Sequence, residues 1–219
     1  KAAEFSTLRA DCVEWRIDCF EGAKDLPAIV HCAAKLRVAL KDKLLLFTFR
    51  TKAEGGKVAL AHEEYLHFIR TVLATDCADL IDIEFFTAGP ELPALIEEAH
   101  TAGAAVVCSS HDFHKTPPRT ELVSRMMQMQ RAGADLPKLA VMPQSRTDVL
   151  ELLAATAEMA DLHPETPIIT MSMGALGAVS RLSGEAFGSA MTFANPGQAS
   201  APGQVSLNIV NEVLDALHL

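Results

Sequence analysis

The strongest constraint on this chain is an alternation. Short apolar runs, each bounded by turn signals, are followed by longer stretches of helical periodicity. The runs fall at residues 12–18, 44–50, 80–86, 104–110, 136–142, 167–173 and 190–194. Helices are predicted at about 26–40, 62–74, 91–102, 120–132, 145–159, 178–187 and 205–217. A run such as Leu44-Leu45-Leu46-Phe47-Thr48-Phe49 is apolar on both faces, which suits a parallel strand under helices. Glycines stand where helices should stop before the next strand, as in Ala102-Gly103 and Ala132-Gly133.

Alternation of this kind gives a parallel sheet, either closed as a barrel or open and doubly wound. No GxGxxG follows a strand, which weighs against the open dinucleotide-binding form. The expectation is therefore an α/β fold, a TIM-type (β/α)8 barrel, occupying residues 1–219 as a single domain. The chain opens at Lys1 and runs into a helix predicted over 2–10. Seven strands after that helix leave the barrel lacking its first strand.

The length of 219 residues suits one domain of the larger single-core type. A formal charge of −9 with no basic cluster argues against nucleic acid and anionic membranes as partners. No apolar run reaches the roughly 20 residues a membrane-spanning helix needs, and nothing resembles a signal peptide. The five cysteines are odd in number and form no CxxC, so a reduced, cytoplasmic protein is the simpler reading.

In a barrel the functional groups gather at the C-terminal ends of strands and in the loops that follow. Polar residues fall there repeatedly. Glu14, Arg16 and Asp18 alternate in the first run; Arg50 ends the second and Glu54-Gly55-Gly56 follows it. Asp82 and Glu84 share a face of the third, His111 ends the fourth, Lys138 lies in the fifth and Met173 ends the sixth. Ser200 and Gln204 occupy the last loop. An unpaired ammonium is expensive in an apolar strand, and that setting favours a lysine acting as an amine nucleophile. With His111 as a proton shuttle and Arg181 as a fixed cation, the parts for imine chemistry on a carbonyl acid are present.

Plainer readings exist for each group. Lys138 follows Pro137 and also fits a surface position ahead of its strand. His111 and His114 make a weak metal pair with no third ligand in the loop. Gly174 and Gly177 could open a helix that binds phosphate or carboxylate alike. The cysteines and Met126-Met127-Gln128-Met129 suit packing. The coincidence of polar groups at nearly every strand end raises the constellation above these readings.

Taken together, Glu14-Trp15-Arg16-Ile17-Asp18, Thr48-Phe49-Arg50 with Glu54-Gly55-Gly56, and Ser110-His111-Asp112-Phe113-His114-Lys115-Thr116-Pro117 resemble the type I 3-dehydroquinate dehydratases. So do Pro137-Lys138-Leu139-Ala140-Val141-Met142-Pro143, Met171-Ser172-Met173-Gly174 through Ser180-Arg181-Leu182, and Ala199-Ser200-Ala201-Pro202-Gly203-Gln204. The resemblance implies loss of water from 3-dehydroquinate through an imine, with Lys138 as the amine. It implies that His111 moves the proton and that Glu54 orients His111. It further implies that Arg181 pairs with the substrate carboxylate. Glu14, Arg16 and Arg50 would then stand around the substrate hydroxyls, with Ser200 and Gln204 closing from the last loop and Met173 against the ring. It implies no metal, no organic cofactor and a homodimer. A class I aldolase-type barrel acting on a sugar phosphate, and a truncated barrel kept for binding alone, are the rival readings.

Overall fold

The computed structural model describes residues 2–197 and 199–217. In chain order its elements are α1 (Ala2–Phe5), β1 (Cys12–Arg16), α2 (Leu26–Leu40), β2 (Leu44–Thr48), α3 (His62–Leu73), β3 (Leu80–Glu84) and α4 (Phe85–Ala88). They continue with α5 (Leu92–Thr101), β4 (Ala105–Asp112), α6 (Arg119–Arg131), β5 (Leu136–Val141), α7 (Arg146–Leu162), β6 (Ile169–Ser172), α8 (Ala178–Leu182) and α9 (Leu207–Leu217). The six strands are hydrogen-bonded in the order β1-β2-β3-β4-β5-β6. This is the expected parallel α/β fold, with the strand-helix succession of a TIM-type barrel. The chain divides into two compact units, Lys1–Cys108 with Ala132–Ala134, and Ser109–Arg131 with Asp135–Leu219.

In the first unit both faces of β2 and β3 are covered, while β1 is half-buried. Leu45, Leu46 and Phe47 of β2 and Ile81 and Ile83 of β3 are buried, as are Ile29 and Ala33 of α2, Ile69 and Val72 of α3, and Leu95 and Ala99 of α5. Each of the Leu, Ile, Val and Phe side chains among them contributes roughly 1.5–3 kcal/mol on burial. α2 starts where Asp25 accepts a hydrogen bond from the Ala28 amide at 3.1 Å, with Pro27 in its first turn. β1 and β2 run parallel in the register Arg16↔Thr48, and β2 and β3 in the register Thr48↔Asp82. Arg16, Thr48 and Asp82 therefore stand side by side.

In the second unit α6 buries Leu122, Met126 and Met129, and α7 buries Val149, Leu152, Ala155 and Met159. Beneath them lie Leu139, Ala140 and Val141 of β5 and Ile169 of β6. α7 is started by a capping box: the Asp148 amide donates to Ser145 Oγ at 3.2 Å, and Asp148 Oδ2 accepts the Ser145 amide at 3.2 Å. β5 and β6 run parallel with Lys138↔Ile169 and Ala140↔Met171 as partners, which puts Lys138 and Met171 on one face of the sheet.

Three local expectations are corrected. The run 190–194 is no strand: its flanks make isolated bridges, Ile168↔Ser189 and Asn195↔Ser206, and 191–194 carry no ladder. Its side chains are engaged sideways instead, as with Thr192 Oγ1, which donates to the Arg181 carbonyl at 2.8 Å. The opening helix stops at Phe5 because the Ser6 and Thr7 hydroxyls bond back to the Ala3 and Glu4 carbonyls, both at 2.8 Å. The helix predicted over 178–187 is α8 followed by a 3₁₀ turn at Glu185–Phe187. Ser183-Gly184 interrupts it.

Candidate active site

The first unit gathers carboxylates around one arginine. Arg50 is 4% exposed and donates through Nη2 to Asp82 at 2.7 Å and through Nη1 to Glu84 at 2.9 Å. Glu54 Oε2 lies 3.6 Å from Nη1. Burial alone would push the guanidinium down, but Asp82, Glu84 and Glu54 together outweigh it and hold its pKa above the ordinary value. Glu84 is further held by the Thr51 amide and hydroxyl, both at 2.8 Å, and by the Thr87 hydroxyl at 2.5 Å. The Glu84 amide donates to the Tyr65 hydroxyl at 2.8 Å, and burial, with the Glu84 charge, pushes that phenol well above its usual value.

Glu54 is positioned by the turn that carries it. Lys52–Glu54 forms a 3₁₀ turn closed by Gly55 in the left-handed region, φ 85°. A Cβ at Gly56 would stand 1.8 Å from the Arg50 carbonyl oxygen, so no other residue fits without moving the backbone. Glu14 accepts a hydrogen bond from the Thr48 hydroxyl at 2.8 Å. Arg16 forks onto Asp18 at 2.7 and 2.8 Å. Asp18, expected as the last alternating strand residue, lies in a 3₁₀ turn at Ile17–Cys19. Burial pushes its carboxyl up; the Arg16 fork and the Lys57 and Arg50 amides outweigh that and hold it below the usual carboxylate range.

The second unit holds Lys138, His111 and Arg181. Lys138 is 4% exposed inside β5, so the surface reading of this residue does not hold. Its Nζ lies 4.4 Å from the centroid of the Phe193 ring. His111 is the penultimate residue of β4 and half-buried. Immediately beyond it Asp112 Oδ1 accepts the His114 and Lys115 amides at 2.8 and 3.0 Å, turning the chain. The Met142 amide bonds the Lys115 carbonyl at 3.2 Å, and Gln144 Nε2 bonds the His114 carbonyl at 2.8 Å, which fastens that turn to the end of β5.

Arg181, on α8, is 2% exposed. Its Nη1 donates to Met171 Sδ and its Nη2 to the Pro202 carbonyl, both at 3.3 Å, while buried Nε has no partner among the described residues. No carboxylate pairs with it there, and burial pushes its pKa below the ordinary value. A thioether and one carbonyl are poor compensation for a buried cation. A planar fork left in this state suits a carboxylate. Met173 is buried at the end of β6. In the last loop the Ser200 amide and hydroxyl both donate to Gln204 Oε1, at 2.7 and 3.3 Å. That loop rests on the turn after β6: the Gly174 amide donates to Pro202 at 3.3 Å, and a Cβ at Gly203 would meet the Gly174 oxygen at 2.3 Å.

The profile of the type I 3-dehydroquinases matches residues 1–219. The chain belongs to that family. Among the type I 3-dehydroquinases and their relatives, the 3-dehydroquinate dehydratase of Klebsiella pneumoniae (strain 342) is 49% identical over 208 residues, covering 95% of this chain and 83% of that protein. The 3-dehydroquinate dehydratase of Bacillus subtilis (strain 168) is 47% identical over 218 residues, covering 100% and 86%. The crystal structure of the type I 3-dehydroquinate dehydratase of Clostridium difficile, solved with covalently modified comenic acid, matches with a TM-score of 0.95 and 44% identity. It covers 99% of this chain and 85% of that one.

Within a type I 3-dehydroquinase, the grouping seen here is two-fold. Arg50 and Glu54 come together in the first unit, with Glu14 and Arg16 on their own partners. Lys138, Met173, Arg181, Ser200, Gln204 and His111 belong to the second. Phe193 escaped the sequence reading because its run looked like a strand, where an aromatic is ordinary packing. Asp82 and Glu84 were visible as two carboxylates in an otherwise apolar run, and that was the available signal for a buried counter-charge. Among the described residues no helix is long and apolar enough to cross a membrane.

Proposed function

We propose that this chain removes water from 3-dehydroquinate to give 3-dehydroshikimate through an imine formed on Lys138. Family membership and the names of its relatives support the reaction; the second unit supports the chemistry. The observation that carries the mechanism is a lysine buried in β5 in the same unit as a buried arginine with no carboxylate partner among the described residues. One offers an amine to a ketone, and the other a fork to an acid.

In this reading the Lys138 amine attacks the substrate ketone, and water leaves as the protonated imine forms. The protonated imine draws electrons more strongly than the ketone did, so the neighbouring C–H becomes acidic. His111 takes that proton and helps the hydroxyl leave as water, a pair of tasks suited to an imidazole. Hydrolysis then returns the ketone and the free amine. Arg181 holds the carboxylate throughout, and Met173, Ser200 and Gln204 contact the rest of the substrate. Glu14, Arg16, Arg50 and Glu54 keep the roles that the resemblance implies, as part of this proposal.

The test is intact mass after borohydride treatment, with and without 3-dehydroquinate. A substrate-dependent adduct mapping to Lys138 is expected, and Lys138→Ala should lose both adduct and turnover while keeping its circular dichroism spectrum. Turnover surviving in that variant would end the imine reading.

A further inference from the structure

Lys138 Nζ faces an aromatic ring, 4.4 Å from the centroid of Phe193. Lys138 is 4% exposed in β5, with Ile169 of β6 as its register partner. Phe193 does not reach it as part of a strand. It lies in the irregular stretch fixed by the Ala190 amide on the Ile168 carbonyl at 2.8 Å and by the Thr192 hydroxyl on the Arg181 carbonyl at 2.8 Å. Those two bonds hold the chain just before Phe193, and the Asn195 amide on the Val205 carbonyl at 2.9 Å holds it just after. The face of a benzene ring carries negative quadrupole potential, and a cation set against it in a desolvated place is stabilised.

We propose that Phe193 is a catalytic residue that carries the positive charge of the Lys138 nitrogen through the reaction. The inference rests on the imine reading above. In that reading the nitrogen lone pair forms the C–N bond, the ketone oxygen leaves as water with two protons, and the nitrogen is left as a cationic iminium. Loss of the adjacent proton to His111 sends an electron pair toward nitrogen and gives a neutral enamine. Departure of the hydroxyl, protonated to water, draws that pair away and restores the cation. One water then cleaves the C–N bond and regenerates ketone and amine. The charge on nitrogen appears in both iminium species and vanishes in the neutral species between and around them. A ring face at this atom lowers the iminium species selectively, where a merely space-filling aliphatic would treat all of them alike.

The experiment replaces Phe193 with its 4-fluoro, 3,5-difluoro and 3,4,5-trifluoro analogues, which keep shape while weakening the face potential stepwise, and with leucine. Two quantities are read on the full chain: kcat, and the fraction of enzyme captured as the Lys138 adduct by borohydride at steady state. Both should fall in step with fluorination, and Phe193→Leu should lose about tenfold in kcat with KM unchanged. A flat fluorine series, in protein whose unsubstituted form gives the adduct, overturns the role of the ring and leaves the imine standing. Absence of a substrate-dependent adduct in the unsubstituted chain overturns the imine and this inference together. The fluorinated series keeps the test decisive if the leucine variant fails to fold.

Discussion

Arg181 shows burial and charge opposed at a single residue. Its guanidinium is enclosed on α8 with a thioether and one carbonyl as partners, and Nε has none among the described residues. If a substrate carboxylate completes it, Arg181→Ala should raise KM by about 2–5 kcal/mol of lost binding, with a smaller effect on kcat. Arg181→Lys should recover part of that, since a point charge replaces the charge and not the fork. Steady-state kinetics on 3-dehydroquinate decide it, and an unchanged KM would place the carboxylate elsewhere. At this scale the sequence was informative where a residue type contradicts its surroundings. A lysine in an apolar run, and two acids in another, can be noticed without coordinates. The Phe193 contact with Lys138 could not be: nothing local distinguishes an aromatic that packs from one that faces a cation 55 residues earlier in the chain.

The elements themselves were legible because their periodicities are strong. The helix read over 26–40 is observed at Leu26–Leu40, and the strands at 44–50 and 136–142 are found one or two residues shorter. What failed was the run 190–194, too short for periodicity to separate a strand from a tethered loop. The connections carry the tightest steric demands. Gly56 and Gly203 both sit where a Cβ would strike a backbone oxygen, at 1.8 and 2.3 Å. Gly56→Ala must shift the turn that presents Glu54, and a fall in Tm of about 5–10 °C is expected by thermal unfolding. Gly203→Ala, with φ 75°, should lift the last loop off Gly174 and act on KM more than on Tm, because that loop is half-exposed. Two variants with the same thermal shift and unchanged kinetics would contradict both assignments.

For the whole molecule the sign of the charge matters as much as its amount. The 28 acidic side chains outnumber the 19 lysines and arginines, for a formal charge of −9 at pH 7. Asp18 is held below the ordinary carboxylate range once the Arg16 fork outweighs its burial, and Asp148 is held down chiefly by the Gln144 amide. A carboxyl depressed in the folded state stabilises that state above its unfolded pKa of about 3.9 and loses the contribution as pH falls through the folded value. The urea midpoint should therefore decline as pH drops below about 4, and Asp18→Asn should flatten part of that decline while lowering stability at pH 7. A variant with the same acid profile as the parent would remove Asp18 from the account. Parallel α/β class was readable at this scale because strands apolar on both faces admit few other arrangements.

The boundary between the two units has a consequence for how the protein is made. β4 begins in the first unit and ends in the second, and Ala132–Ala134 returns to the first before β5 begins in the second. No single cut in the chain separates them. A ribosome must release Ala134 before the first unit has all its parts, and by then α6 of the second unit is already outside. Lys138 emerges only four residues later. The early half of the chain gains its last segment only after most of α6 has been made, so the two units are completed together rather than one after the other.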